Sequence, residues 1–412
     1  MESESVRDLS GWRITERVHG VPLDHARPGG ETIEVFTREV ADVDGLDRPL
    51  LVYLQGGPGF ESPRPSRRGD RPPWLATALE SFRVLLLDQR GTGRSTPVGS
   101  ALPGSPEEQA DYLANFRADS IVADLELIRA ALGIDRWSLL GQSFGGFCSL
   151  RYMSAAPDSL REVMFAGGLP ALELSVDEVY RATYARMRER SAAYYRRYPE
   201  DRAGVLALAE RLAAEPVRLP SGDHFDARWL RATGMVLGVG DGAEELHELL
   251  ELDADSTAFA HDAERLNPFP RNPIYAVLHE SCWADGEATR WSAERVLAEL
   301  AWDPADLTGE HIFRWMFDDM QGLRALAPAA ELLAQREWPR LYDLEALESS
   351  TVPAAAIVYG DDVYVERAIS EATARRIPSL DVWLTNEYEH DGIHADGKRV
   401  FGRLLDLARR RV

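Results

Sequence analysis

The residues Gly141-Gln142-Ser143-Phe144-Gly145 follow a short apolar run, Trp137 to Leu140, and lead into a segment that reads as the start of a helix. A strand that turns sharply into a helix through this pattern forces its central serine into a strained backbone conformation. The serine hydroxyl is thereby lifted clear of the sheet edge. The helix N-terminus beside it adds a positive field. Ser143 is therefore the candidate nucleophile. A serine hydroxyl needs a base to take its proton, and a histidine base needs a carboxylate to fix its tautomer. After the strand expected at 352–360 stand Asp361 and Asp362. After the last expected strand, 380–385, stand His390 and His394, the only two of nine histidines to fall there. Serine, then acid, then histidine is a chain order that acyl-transfer chemistry uses. His390 lies nearer the strand end and is preferred over His394; Asp361 and Asp362 stay open on position alone.

A tetrahedral intermediate also needs donors for its oxygen. Pro49 to Leu54 is a continuous apolar run followed by Gln55-Gly-Gly-Pro-Gly59. Consecutive glycines at a strand end let a backbone N–H face a substrate oxygen with no side chain in the way. This loop is expected to supply one oxyanion donor. The apolar run 82–88 leads into Asp88-Gln-Arg-Gly-Thr-Gly-Arg-Ser95. That loop lacks the Gly-Lys-Ser/Thr ending of a phosphate loop. Asp88 and Arg90 are read as struts beneath the oxyanion loop, not as ligands.

A sheet must hold these loops. Residues 11–18 and 32–40 alternate apolar and polar, as half-buried antiparallel strands do. The apolar runs at 49–54, 82–88, 136–141 and 162–166, with a helix expected over 119–132, imply a mostly parallel, doubly wound α/β sheet. From about 171 to 340 strand signals vanish and amphipathic helical patterns follow, at 176–195, 203–214, 227–237, 243–252, 291–301 and 309–316. Strand signals then resume. The expected organisation is a first core part over 1–170, an inserted all-helical cap over 171–340, and a second core part over 341–412.

With 45% apolar and 28% charged residues, the 412-residue chain can bury a sizeable core. Its net charge of −22 argues against nucleic acid or an anionic membrane as a partner. The two cysteines, Cys148 and Cys282, form neither a disulfide framework nor a metal-ligand spacing. No metal or organic cofactor is implied. No stretch approaches a membrane span, and the first residues have neither a basic nor an apolar signal region, so a cytoplasmic location is expected.

Three motifs taken together resemble the proline iminopeptidase family, serine aminopeptidases of the α/β-hydrolase superfamily. They are Gly-Gly-Pro-Gly (56–59), Asp-Gln-Arg-Gly-x-Gly-x-Ser (88–95) and Gly-Gln-Ser-Phe-Gly-Gly (141–146). The likeness runs along essentially the whole chain, from Val21-Pro-Leu-Asp-His25 to Asn386-Glu-Tyr-Glu-His390. Length and large cap resemble the longer prolyl aminopeptidase subgroup. The resemblance implies the α/β-hydrolase fold and release of N-terminal proline from short peptides with a free N-terminus, through an acyl-enzyme. It implies Ser143 as nucleophile, His390 as base and Asp362 as acid, with Asp361 the alternative. The N–H groups of Gly57 and Phe144 would form the oxyanion hole. The sequence departs from the family at Gln55, where histidine is usual, which is expected to tune the loop and not abolish activity. It departs again at Tyr359-Gly-Asp-Asp, where short members space the acid as Gly-x-x-Asp.

An aminopeptidase must also read a free α-amino group, and the family does so with cap carboxylates. Ile274 to Trp283 resembles the cap helix that carries one, at Glu280. Trp283, with Trp291 and Tyr275, could wall a pocket for a pyrrolidine ring. The alternative on the same triad is an esterase, amidase or lactonase, which needs no amine anchor.

Overall fold

The computed structural model describes residues 1–411. Its strands, in chain order, are β1 (Ser3–Leu9), β2 (Trp12–Pro22), β3 (Thr32–Asp42), β4 (Leu50–Leu54), β5 (Arg83–Leu87), β6 (Trp137–Gln142), β7 (Leu160–Ala166), β8 (Val217–Arg218), β9 (His224–Phe225), β10 (Ala354–Tyr359) and β11 (Leu380–Thr385). Nine of them make one sheet in the order β1-β2-β3-β5-β4-β6-β7-β10-β11. Pairing is antiparallel from β1 through β5 and parallel from β5 through β11.

The central strands are apolar on both faces because both faces are covered. Leu51, Tyr53, Leu140, Met164 and Ile357 pack on one side with Trp74 and Phe401. Leu50, Val52, Leu54, Leu139 and Val163 pack on the other, with the helices Ala118–Ala131 and Phe144–Ala155. Successive side chains of a strand point to opposite faces, which divides each run between the two cores.

Three elements differ from the sequence expectations. The exposed strand β1, Ser-Glu-Ser-Val-Arg-Asp-Leu, carries no apolar pattern. It is held by its ladder to β2 and by ion pairs such as Arg17–Glu4 (2.6 Å) and Arg13–Asp8 (3.0 Å). The block between β7 and β10 is mostly helical but contains the β8–β9 hairpin, so it is not all-helical. The helix expected over 309–316 begins only at Arg314. Ahead of it, Gly309 N–H donates to His311 Nδ1 (3.0 Å) and Thr308 N–H to Arg231 O (3.0 Å). These backbone groups find their partners outside any helix.

Leu54 of β4 pairs with Gly141 of β6, and Gln142 pairs with Ala166 of β7. The loops after β4, β6 and β7 therefore leave the sheet at one level, at the carboxyl ends of parallel strands where open α/β sheets place their sites.

Candidate active site

Ser143 has φ 52° and ψ −124°, directly before the helix Phe144–Ala155. A non-glycine residue there costs energy and persists only where its surroundings enforce it. Here Ser143 N–H donates to Ala166 O (3.0 Å), and Ser143 O accepts from Gly146 N–H (2.7 Å). Gly145 is required by contact: a Cβ on it would stand 1.9 Å from Leu54 O. That close approach brings the β4 loop beside the elbow. Phe144 N–H, first of its helix, and Gly57 N–H have no hydrogen-bond partner among the described residues.

Asp362 is buried. Its Oδ1 accepts from the N–H groups of Tyr364 (2.8 Å) and Val365 (3.0 Å), and its Oδ2 lies 2.7 Å from His390 Nδ1. Asp361 is exposed. Burial alone would lower the His390 pKa. The charge and hydrogen bond of Asp362, with the charges of Glu310 and Asp391, outweigh it, and the net shift is upward from 6.5. His390 Nε2 is buried and has no partner, so no hydrogen bond joins it to Ser143 Oγ. Such bonds are often open until substrate binds. His394 lines the same cavity as Ser143 and His390 but is exposed and makes no hydrogen bond to Asp362, whose Oδ2 is taken by His390.

Ser143 and His390 line one cavity of about 330 Å³, together with Gly57, Tyr275, Tyr364 and Glu310. Clefts of about 510 and 560 Å³ lie elsewhere, but neither touches Ser143, Asp362 or His390, so chemistry and not size picks out the smaller space. Glu310 was not singled out in the sequence. Its carboxylate accepts from the Tyr275 hydroxyl and sits 3.3 Å from His279 Nε2. Burial alone would raise its pKa; the charge and hydrogen bond of His279, with the Tyr275 hydroxyl, outweigh this and hold it below the ordinary carboxylate value. The sequence signal was Thr308-Gly309, a break in an otherwise helical pattern.

Glu280, the expected amine anchor, does not line this cavity. It falls in a 3-10 turn, Glu280–Cys282, after the helix Pro273–Leu278. Its carboxylate accepts from Ser292 N–H (3.2 Å) and Ala293 N–H (2.8 Å), the first turn of the helix Ser292–Glu299. Tyr275 and His279 share a helix face at i,i+4, and Glu280 lies off that face. Trp283 is likewise outside the cavity, edge-on to Phe147 at 4.7 Å. The Trp291 indole Nε1–H donates to the Glu331 carboxylate (2.9 Å). Of the three aromatic candidates, only Tyr275 reaches the cavity.

Arg90 is a strut, but one that faces away from the cavity. Its guanidinium holds Asp124 through Nε (2.7 Å) and Nη2, and donates to Leu23 O (2.8 Å), Asn115 O (2.6 Å) and Pro22 O (3.0 Å). The buried carboxylate of Asp88 accepts from Ser62 N–H (3.1 Å) and Arg94 N–H (3.0 Å). Gln89, between them, is what touches the oxyanion loop: its Nε2 donates to Gln55 O at 2.9 Å. Glu200, Asp201 and His247 could converge on a cation, but Asp201 is already engaged by His247 Nδ1 (2.9 Å) and the Tyr194 hydroxyl.

A strained serine elbow above a mostly parallel sheet, with a buried His–Asp pair beside it, defines a serine hydrolase of the α/β-hydrolase class. A family model described as alpha/beta hydrolase fold matches residues 49–209. The proline iminopeptidase of Aeromonas sobria is 47% identical over 97% of this chain and 98% of its own length. Proline iminopeptidase aneH of Aspergillus aculeatus is 33% identical over 98% of this chain and 94% of its own. The chain belongs to the proline iminopeptidase family. A solved structure titled proline iminopeptidase, from Mycobacterium smegmatis, aligns at 14% identity with a TM-score of 0.44 over 96% of this chain and 98% of that one. No helix among the described residues is long and apolar enough to cross a membrane.

Proposed function

We propose that this protein is a serine aminopeptidase that releases N-terminal proline from short peptides, with Ser143 as nucleophile, His390 as base and Asp362 as the acid that orients it. His390 Nε2 takes the proton as Ser143 Oγ adds to the prolyl carbonyl carbon. The N–H groups of Gly57 and Phe144 receive the developing oxyanion. His390 then gives the proton to the leaving amine, and the peptide bond breaks to leave the prolyl ester of Ser143. Water attacks that ester while His390 takes its proton, and His390 returns the proton to Ser143 as proline departs. Glu310 anchors the cationic pyrrolidine nitrogen, a charge-assisted contact that an N-blocked peptide cannot make. Residues 171–340 act as a cap that admits chain ends and excludes internal segments.

The observation that carries this reading is the convergence of Ser143, His390 and the half-buried carboxylate of Glu310 on one small cavity. An esterase would need the first two but not the third. The test is hydrolysis of L-proline 7-amido-4-methylcoumarin, its N-acetyl form and p-nitrophenyl acetate by wild type and Ser143→Ala. Cleavage of the free prolyl amide alone among the two amides, lost in the variant, is expected. Cleavage of the ester with neither amide would move the protein to the esterase class. For location we propose the cytoplasm, since both cysteines are free and buried, as suits a reducing compartment. Fractionation of cells expressing the tagged protein checks this; activity confined to a secreted or periplasmic fraction would refute it.

A further inference from the structure

The peptide group between Gln55 and Gly56 is gripped at both ends by side chains. Its carbonyl oxygen accepts from Gln89 Nε2 at 2.9 Å. Its N–H donates to Gln142 Oε1 at 3.2 Å, in a buried bond. The partners fix both amide orientations, because an N–H must meet an oxygen and a carbonyl must meet an N–H. Gln89 is 1% exposed and Gln142 7% exposed, so neither competes with bulk water for its partner. The fit is close: a Cβ on Gly56 would stand 2.4 Å from Gln142 Oε1 and 2.9 Å from Ser143 Cβ. Gln55 is fixed as well, its Oε1 accepting from the Tyr53 hydroxyl at 3.0 Å.

The gripped peptide directly precedes Gly57, whose free N–H is the oxyanion donor in the proposed mechanism. Gly57 has φ 124°, and neither it nor Gly56 carries a side chain that could brace the donor. Once one peptide plane is set, the next N–H can swing only about the Gly56 dihedrals. A donor aimed in advance at the forming oxyanion needs no reorganisation during the reaction, and this is the source of its catalytic value. Gln142 adjoins Ser143 in sequence, so the same residue ties the donor's loop to the nucleophile.

We infer that Gln89 and Gln142 are positioning residues of the reaction, a two-sided clamp that orients the Gly57 N–H toward the oxyanion above Ser143. The inference rests on the reading of Ser143 as nucleophile and Gly57 as oxyanion donor. The clamp acts on the transition state and leaves ground-state binding of the prolyl group alone. Its two halves hold one peptide unit, so loss of either frees it.

The test is a double-mutant cycle with Gln89→Met and Gln142→Met. Three quantities are read: kcat/KM on L-proline 7-amido-4-methylcoumarin, inhibition by L-prolinal, and inhibition by L-proline. Ser143 Oγ adds to the L-prolinal carbonyl and places an oxygen in the hole, whereas L-proline only occupies the site. Each single variant is expected to lose about tenfold in kcat/KM, less than deleting a donor outright costs. Inhibition by L-prolinal should weaken by the same factor, and inhibition by L-proline should change less than about twofold. The double variant should lose about as much as the worse single one, because residues acting as a unit are not additive. Multiplying losses, or equal weakening of both inhibitors, would overturn the clamp. Gln142→Asn, one methylene too short to reach Gly56, serves if the methionine variant does not fold and is expected to show the same pattern. Every acyl substrate uses the same hole, so p-nitrophenyl acetate gives the same kinetic cycle. The clamp can thus fail while Ser143→Ala is inactive, or hold while proline proves the wrong substrate.

Discussion

Asp362 Oδ2 stands 2.7 Å from His390 Nδ1, and the opposite ring nitrogen, Nε2, is buried without a partner. The carboxylate fixes the tautomer that leaves Nε2 free to accept a proton. It also raises the His390 pKa against the opposing effect of burial. His390 serves as a base only when neutral, so kcat/KM should rise with pH through a midpoint above the ordinary histidine value of 6.5. Asp362→Asn removes the raising influence. The rising limb should move to lower pH while the rate falls by about 10⁴-fold. A limb that stays in place in this variant, measured from pH 5 to 9 on the prolyl amide, would show that Asp362 does not govern His390.

Glu310 also raises the His390 pKa, through its charge, and it lines the same cavity. Glu310→Gln should therefore have two effects. It should cost roughly 10- to 100-fold in kcat/KM on the free prolyl amide, the size of one charge-assisted hydrogen bond. It should also shift the rising limb downward. Hydrolysis of p-nitrophenyl acetate at pH 8 should change less than about threefold, because an ester without an amine does not use the anchor. Equal losses on both substrates would instead mark Glu310 as a structural support for Tyr275 and His279.

Glu280 makes the contrasting case. Its carboxylate caps the helix Ser292–Glu299 through two backbone N–H groups, and burial raises its pKa against those bonds. Glu280→Gln can supply only one oxygen to those two donors. We expect a loss of about 1–3 kcal/mol in urea unfolding, from one unsatisfied buried N–H. KM for the prolyl amide should be unchanged. A tenfold rise in KM without loss of stability would return Glu280 to the substrate site.

Local patterns made part of this molecule legible. The elbow needs glycine where Leu54 O approaches Gly145, and the oxyanion loop follows an apolar run, so both stand out in the sequence. The central strands are legible because a sheet covered on both faces demands continuous apolar runs. Asp361 and Asp362 could not be separated by position; the difference is that Asp362 is buried against the Tyr364 and Val365 N–H groups while Asp361 faces solvent. The cap's contribution to the site is not legible, because a periodic pattern does not record where a helix stops. Glu310 reaches the cavity because the chain bends ahead of Arg314 and does not yet form a helix, and Glu280 is turned away where the helix Pro273–Leu278 gives way to a 3-10 turn. Gln89 and Gln142 were inside the motifs, yet their role depends on a peptide group from a third loop, which no spacing reveals. β1 is not legible, because it is held by backbone pairing to β2 and carries no apolar alternation.

The ion pair of Arg90 and Asp124 ties the loop after β5 to the helix Ala118–Ala131, and its burial decides how it should respond to substitution. Their side chains are 0% and 1% exposed. All five guanidinium N–H groups are used, two on Asp124 and three on the carbonyls of Pro22, Leu23 and Asn115. Removing one partner strands a charge that water cannot reach. Arg90→Leu should cost roughly 3–5 kcal/mol in urea unfolding, and three carbonyls lose their donor besides. Removing both charges is different, because much of the single-variant cost is the desolvated partner left behind. Arg90→Leu with Asp124→Leu should therefore regain part of that loss, although Asp124 also accepts from His25 Nε2 at 2.8 Å and the carbonyls stay unpaired. If the double variant is as unstable as the sum of the two single ones, the pair is not coupled. The stability would then reside in the carbonyl contacts that anchor the end of β2 to the loop after β5.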